Sequence, residues 1–83
     1  MTPQERVAGF VAARFRASLG KGTVGFDEPL LSSGIIDSFG LLEVLAFLED
    51  TFHVTIDPAR HDLTRLDTVN AMCEVVESLR RTA

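Results

Sequence analysis

Residues 30–52 read LLSSGIIDSFGLLEVLAFLEDTF, and this stretch decides most of the fold. Asp37 and Ser38 are both good N-cap residues, and the run after them has apolar positions at helical spacing. Steps of about 100° per residue from Ser38 place five apolar residues on one face. They are Leu41, Val44, Leu45, Leu48 and Phe52. We therefore predict a helix from Asp37 or Ser38 to about Phe52, with this face on the core.

A second strip of the same helix is also apolar, although carboxylates border it. It consists of Phe39, Leu42 and Ala46, with Glu43, Glu49 and Asp50 beside them. Two interpretations are open, because the strip either widens the core face or forms an exposed contact patch edged with acid. We favour the contact patch.

The chain before this stretch begins with a capping box, in which Thr2 precedes Pro3 and Glu5 lies three residues after the cap. We predict a first helix over residues 3–19, whose apolar stripe is Val7, Phe10, Val11, Phe15 and Leu19. From Lys21 to Asp37 glycines, a proline and paired serines predict a long loop. Its apolar side chains are expected to lie on the core, and they are Phe26, Leu30, Leu31, Ile35 and Ile36.

After the helix that ends near Phe52, residues 54–56 form a short extended piece and Asp57-Pro58 breaks the chain. Residues 59–66 are predicted to form a short third helix or a turn. Asp67-Thr68 then caps a last helix to about Arg80, with a core stripe of Val69, Met72, Cys73, Val76 and Leu79. The predicted fold is an all-α, four-helix bundle in one domain, residues 1–83, with a long loop between helices 1 and 2.

The net charge of −4 is unevenly distributed. Between Gly22 and Ala59 the chain has seven acidic residues and no Lys or Arg. This argues against nucleic acid and against an anionic membrane surface as partners, and it favours basic protein partners, although a solvated acidic face is the simpler interpretation. No apolar run reaches membrane-spanning length and the N-terminus does not resemble a signal peptide, so we expect a cytoplasmic protein.

Self-contained catalysis is not indicated. His53 and His61 are the only histidines, and Ser38 does not lie in the Gly-x-Ser-x-Gly turn of many hydrolases. Two histidines and Cys73 do not form a metal-ligand pattern, and the loop glycines do not form a nucleotide-binding motif. A serine at the exposed start of a helix is a suitable acceptor for a large modification, but it is equally suited to capping the helix.

The wider pattern resembles the acyl carrier protein family. The residues that carry the resemblance are an Asp-Ser pair followed by a large apolar residue (Asp37-Ser38-Phe39), the acidic amphipathic helix after them, and Phe52 near its end. It extends over nearly the whole chain, including the long loop, the Ile-Asp-Pro turn at residues 56–58 and the closing helix. The resemblance implies an acyl-carrier-like bundle.

The resemblance also implies a function. Ser38 would bear 4′-phosphopantetheine, with Asp37 beside it, and the protein would hold an acyl or aminoacyl group as a thioester without being an enzyme. The implied partners are a phosphopantetheinyl transferase, an adenylating ligase that loads the cargo, and a downstream acyltransferase or synthase. The carrier itself is expected to be a monomer. The implied recognition residues are Ile36, Phe39, Leu42, Glu43, Ala46, Glu49 and Asp50.

Gly40 departs from many fatty-acid carriers, which have an acidic residue two positions after the serine. The run Gly34-Ile35-Ile36-Asp37-Ser38-Phe39-Gly40 is more similar to D-alanyl carriers and other stand-alone aminoacyl or specialised carriers. The motif does not fix the cargo. A different class of function also remains open, in which an unmodified helical adaptor uses the acidic second helix to bind a partner helix.

Overall fold

Four α-helices make up the fold within residues 1–82, which are the residues that the computed structural model describes. They are α1 (Pro3–Arg14), α2 (Arg16–Leu19), α3 (Ser38–Phe52) and α4 (Val69–Thr82). One turn of 3₁₀ helix, Leu63–Arg65, lies between α3 and α4, and no strand occurs in the described part of the chain. The predicted all-α, acyl-carrier-like bundle is confirmed, and none of these helices has the length and apolar character needed to cross a membrane.

The core lies between α1, α3 and α4. Of the stripe predicted for the first helix, Val7 and Val11 are buried, whereas Phe10, Phe15 and Leu19 are partly buried and the last two lie beyond α1. Most of the predicted stripe of α3 is buried, as is that of α4, whereas Phe52 and Leu79 are partly buried at the edge. The side chains with almost no exposed surface are Val7, Val11, Leu30, Ile36, Val44, Leu48, Leu66, Val69, Met72 and Val76. Cys73 is also buried, and burial, followed by the nearby Glu77 carboxylate, raises the pKa of its thiol.

The prediction of one continuous first helix over residues 3–19 is wrong. The capping box is present, since Glu5 N–H donates to Thr2 Oγ1 at 3.1 Å and Thr2 N–H donates to Glu5 Oε1 at 3.2 Å. The helix is interrupted at Phe15, whose φ of −114° and ψ of 26° lie outside the helical region. The break allows the Phe15 ring to contact the ring of Phe10, with their centroids 6.5 Å apart, and to reach the start of α3.

The long loop between α2 and α3 is confirmed and is fixed to the core by Leu30 and Ile36, both almost fully buried. The expectation that Phe26 also anchors the loop is wrong, because that side chain is 40% exposed. Val24, at 8% exposure, takes this place. The spacing of a loop has no helical period, so the sequence did not indicate which of its apolar residues face inward.

A carboxylate of the last connection holds this loop in position. Asp67 Oδ1 accepts hydrogen bonds from the backbone N–H groups of Leu30, Leu31 and Ser32 at 3.1, 2.7 and 2.9 Å, and Ser32 Oγ donates to Asp67 Oδ2 at 2.8 Å. These bonds, with those from Ser32 the largest cause, lower the pKa of Asp67. The cap of α4 is Thr68 alone, whose Oγ1 accepts from Ala71 N–H at 3.0 Å.

Of the two predictions for residues 59–66, a short third helix or a turn, the structure has turns: one at residues 58–60 and the single 3₁₀ turn at Leu63–Arg65. Leu66 is fully buried and Leu63 is partly buried, and a spacing of three residues matches the three residues per turn of a 3₁₀ helix. Asp62 caps the turn by accepting from Thr64 N–H at 3.0 Å. With two anchoring leucines, the segment lacks the apolar stripe that a longer helix would need.

Candidate functional site

Asp37, rather than Ser38, caps α3. Its Oδ1 accepts a hydrogen bond from Gly40 N–H at 2.7 Å, its backbone is extended, and the helix begins at Ser38. The Ser38 hydroxyl is exposed and makes no hydrogen bond within residues 1–82. The sequence allowed Ser38 to be only a capping residue, but the structure assigns that role to its neighbour and leaves the hydroxyl available for chemistry.

The serines of the preceding loop differ from Ser38 in this respect. Ser32 Oγ donates to Asp67, and Ser33 Oγ donates to the Pro29 carbonyl at 2.6 Å. Both hydroxyls therefore stabilise the loop. Ser38 also lies in the first turn of a 15-residue helix, where backbone N–H groups and the positive end of the helix dipole favour an attached anion.

A groove of about 600 Å³ begins at Ser38. Its walls come from the end of the long loop, the first turn of α3 and the 3₁₀ turn, and they consist of Leu31, Gly34, Ile36, Asp37, Ser38, Leu41, Leu42, Leu63 and Thr64. Asp37 is the only charged residue among them. A long, flexible and mainly uncharged group attached to Ser38 would find an apolar surface here, and no cation lines the groove to attract a carboxylate.

Gly40 lies against Phe15, at the point where the break in the first helix meets α3. A Cβ added at Gly40 would lie 2.7 Å from Phe15 Cε1 and 3.0 Å from Ile36 Cγ2. Both distances are shorter than ordinary van der Waals contact between carbon atoms. Gly40 thus permits close packing of Phe15 on α3, a reason for glycine at this position that is independent of any cargo.

Gly40→Ala is expected to lower the free energy of unfolding by about 1 kcal/mol. Overpacking destabilises a protein by about 1–3 kcal/mol, whereas replacing glycine by alanine inside a helix stabilises it by up to about 1 kcal/mol. Urea denaturation measures the change. The double variant with Phe15→Leu is the control, because removing the ring leaves only the longer contact with Ile36 and should make the loss from Gly40→Ala smaller. An equal loss in both backgrounds would contradict the contact with Phe15.

The apolar strip predicted as a contact patch is exposed. Phe39 is 80% exposed, Leu42 is 56% exposed, and Ala46 lies in the exposed class. The alternative, that these residues widen the core face, is wrong. Phe39 immediately follows Ser38 and Leu42 lines the groove, so the exposed apolar surface adjoins the free hydroxyl.

The three carboxylates beside this strip have different surroundings. Glu43 forms an ion pair with Arg14 of α1, in which Arg14 Nη2 donates to Glu43 Oε1 at 2.8 Å. Glu49 Oε2 accepts from Ile56 N–H at 3.0 Å, which fixes the chain after α3. Asp50 is exposed and makes no hydrogen bond or ion pair within the described residues.

Ile36 belongs to the core, as its place among the apolar residues of the loop predicted, and it is 1% exposed. The recognition role that the resemblance implied for it is therefore wrong. Its N–H donates to the Leu30 carbonyl at 3.0 Å, so it holds the end of the loop against α3. Ile36 can therefore position Asp37 and Ser38 but does not offer a surface to a partner.

Sequence reasoning missed three residues of this region: Asp67, Arg14 and Leu63. Asp67 was assigned to the cap of the last helix because an Asp-Thr pair before a helix is a local capping signal. Arg14 and Glu43 are separated by 29 positions, a distance at which spacing along the chain indicates nothing. Leu63 lies in a segment whose orientation depends on the rest of the fold.

Comparison with known proteins gives one family. A family model described as a phosphopantetheine attachment site matches residues 10–76, which include α3, the loop before it and the groove. No curated protein matches the chain.

Proposed function

This chain belongs to the family of domains with a phosphopantetheine attachment site, and from this premise we propose that Ser38 is the residue that carries the group. The domain takes 4′-phosphopantetheine covalently on a serine. The chief observation in favour of Ser38 as the attachment residue is that its hydroxyl is free. It is exposed in the first turn of α3, while Asp37 provides the cap and the hydroxyls of Ser32 and Ser33 are bonded within the loop.

The surroundings of Ser38 fit such a group. The start of α3 offers N–H groups and a positive dipole end to a phosphodiester. The groove beside Ser38 offers apolar walls to the chain beyond it, through Leu41, Leu42 and Leu63. When bound, the group supplies a terminal thiol that forms thioesters.

We further propose that the protein is a carrier, not an enzyme, which holds an acyl or aminoacyl group and presents it to other enzymes. A phosphopantetheinyl transferase attaches the group from coenzyme A. The Ser38 oxygen bonds to phosphorus, the pyrophosphate bond breaks, adenosine bisphosphate leaves and the hydroxyl proton passes to the transferase. An adenylating ligase loads the cargo, and an acyltransferase or synthase receives it.

Partner contact is proposed for the exposed strip beside Ser38: Phe39, Leu42 and Ala46, with Glu43, Glu49 and Asp50 at its border. A shuttle must leave each partner quickly, and a small apolar contact with charge steering gives fast association without tight binding. The absence of Lys and Arg between Gly22 and Ala59 keeps repulsion of a basic partner low.

The mass of the intact protein tests the proposal. After incubation with a broad-specificity phosphopantetheinyl transferase, coenzyme A and Mg²⁺, the chain is expected to gain the mass of one phosphopantetheine. A chain that gains no mass would overturn the carrier function. It would then favour the alternative of an unmodified adaptor, for which the exposed Phe39 and Leu42 are the supporting observation.

Phe39→Ser is expected to lower kcat/KM of the transferase by about 5- to 30-fold, since buried aromatic anchors contribute about 1–2 kcal/mol or more to protein contacts. Stability should change by less than about 0.5 kcal/mol, because the side chain is 80% exposed. The matched control is Phe26→Ser, the same change at another exposed phenylalanine, in the loop. Equal rates for the two variants would exclude Phe39 as an anchor.

A further inference from the structure

The Arg14–Glu43 ion pair connects α1 to the proposed docking face. Arg14 approaches with two nitrogens, because Nη2 lies 2.8 Å from Glu43 Oε1 and Nε lies 2.5 Å from Oε2. Both oxygens of the carboxylate are therefore engaged, in the two-point arrangement that suits a guanidinium. The Arg14 guanidinium also lies over the Phe15 ring, 5.7 Å from its centroid, a second contact that holds it in place.

The pair is accessible to a partner. The Arg14 and Glu43 side chains keep 54% and 41% of their surface exposed. They border a depression that Phe39 and Gly40 also line, whereas other residues of α3, Ser38, Leu41 and Leu42, line the Ser38 groove. A partner that binds the Phe39 side chain therefore lies close to Glu43, whose negative charge is already compensated by Arg14.

We propose that Arg14 is a specificity-determining residue, which withholds Glu43 from basic partners by pairing with it. This rests on the proposed carrier function. The docking face then consists of the apolar residues Phe39 and Leu42 and the free carboxylate of Asp50. The partner it fits has an apolar seat for Phe39 and places its cations towards Asp50. A cation opposite Glu43 must first displace Arg14 and gains correspondingly less.

The expected effect is modest and has a definite form. Exposed ion pairs are weak, so replacing Arg14 by an uncharged residue should raise kcat/KM of a basic partner enzyme by about 2- to 5-fold, corresponding to about 0.4–1 kcal/mol. Glu43→Gln should lower kcat/KM by that same factor once Arg14 is gone. While Arg14 is present, Glu43→Gln leaves the guanidinium without its carboxylate beside the docking face, so it should not raise kcat/KM.

The test is a double-mutant cycle of Arg14→Gln and Glu43→Gln, with the rate of phosphopantetheine attachment by a broad-specificity transferase as the readout. Arg14→Gln is expected to raise the rate 2- to 5-fold at low salt and to lose this gain in about 1 M salt, where charges are screened beyond about 3 Å. Adding Glu43→Gln should return the rate to that of the parent chain. Asp50→Asn should lower the rate by a similar factor with or without Arg14.

Arg16→Gln is the matched control, because Arg16 lies in the neighbouring α2, is exposed and has no ion pair among the described residues. It makes the same change in net charge and should leave the rate within experimental error. An equal gain from Arg16→Gln, or a slower Arg14→Gln, would overturn the inference. Urea denaturation of each variant separates these outcomes from unfolding, and a parent chain that gains no mass would overturn the proposed function instead.

Discussion

Ser38→Ala is expected to fold as the parent chain does and to gain no phosphopantetheine mass under any loading condition. The loss is complete because alanine has no oxygen to accept the phosphoryl group, and no other hydroxyl lies in the first turn of α3. Folding is unaffected because the Ser38 hydroxyl makes no hydrogen bond within residues 1–82 and Asp37 keeps the helix cap. Intact mass measures attachment, and urea denaturation measures stability.

Ser18→Ala is the matched control for this variant. Ser18 is exposed in α2 and lies within the region matched by the family model, but it is not at the start of a long helix. It should gain mass at the rate of the parent chain. If Ser38→Ala still gains the mass and Ser18→Ala does not, Ser18 is the attachment site. If both variants gain it, another residue accepts the group.

Asp67→Ala is expected to lower the free energy of unfolding by about 2–4 kcal/mol, since hydrogen bonds to a charged group contribute about 1.5–3 kcal/mol each and are not additive. The variant leaves the Leu31 and Ser32 N–H groups without their acceptor. For a domain of this size, with a total stability of roughly 4–12 kcal/mol, the loss is large. Denaturant unfolding measures it.

Asp62→Ala is the control, because Asp62 is also a hydrogen-bonded aspartate but contacts only its own 3₁₀ turn, through Thr64. It should lower stability clearly less than Asp67→Ala does, because only its own exposed turn loses hydrogen bonds. Similar losses for the two variants would contradict the role of Asp67 as the anchor of the long loop.

The pH dependence of stability provides a second readout for Asp67. Its pKa is lowered in the folded protein, mainly by the hydrogen bonds from Ser32, so the folded state binds the proton less readily than the unfolded state. This contribution is present above the unfolded pKa of about 3.9 and is lost as the pH falls through the lower folded pKa. Asp67→Asn is expected to remove that part of the acid sensitivity, and an unchanged acid transition would contradict it.

The sequence predicted those parts of the fold in which local signals agree. The start of α1 is a capping box, α3 follows an Asp-Ser pair, and the core stripes of α3 and α4 have helical spacing. Each depends on residues within a few turns of one another, which is the range over which spacing and capping act. The exposed strip led by Phe39 was also predictable, because a helix needs only one apolar face to pack.

The candidate site was predictable only in outline. Asp37 and Ser38 were both singled out, but which of them caps the helix depends on which side chain accepts the hydrogen bond from Gly40 N–H. Ile36 was expected on the core from its place in the loop and at the partner surface from the resemblance, and its burial supports only the first. Gly40 was interpreted as a sign of the cargo, and the structure gives it a packing reason through Phe15.

The sequence by itself determined that residues 30–52 form a loop and a helix with a serine at the junction, and that this pattern belongs to a carrier family. Only the tertiary structure decided that the serine is free, that a groove opens beside it and that Glu43 is paired with Arg14. Helical spacing and capping are local, because they act between residues within one or two turns. The groove, the ion pair and the hydrogen bonds from the loop to Asp67 require residues that the chain brings together from α1, the long loop and the segment after α3.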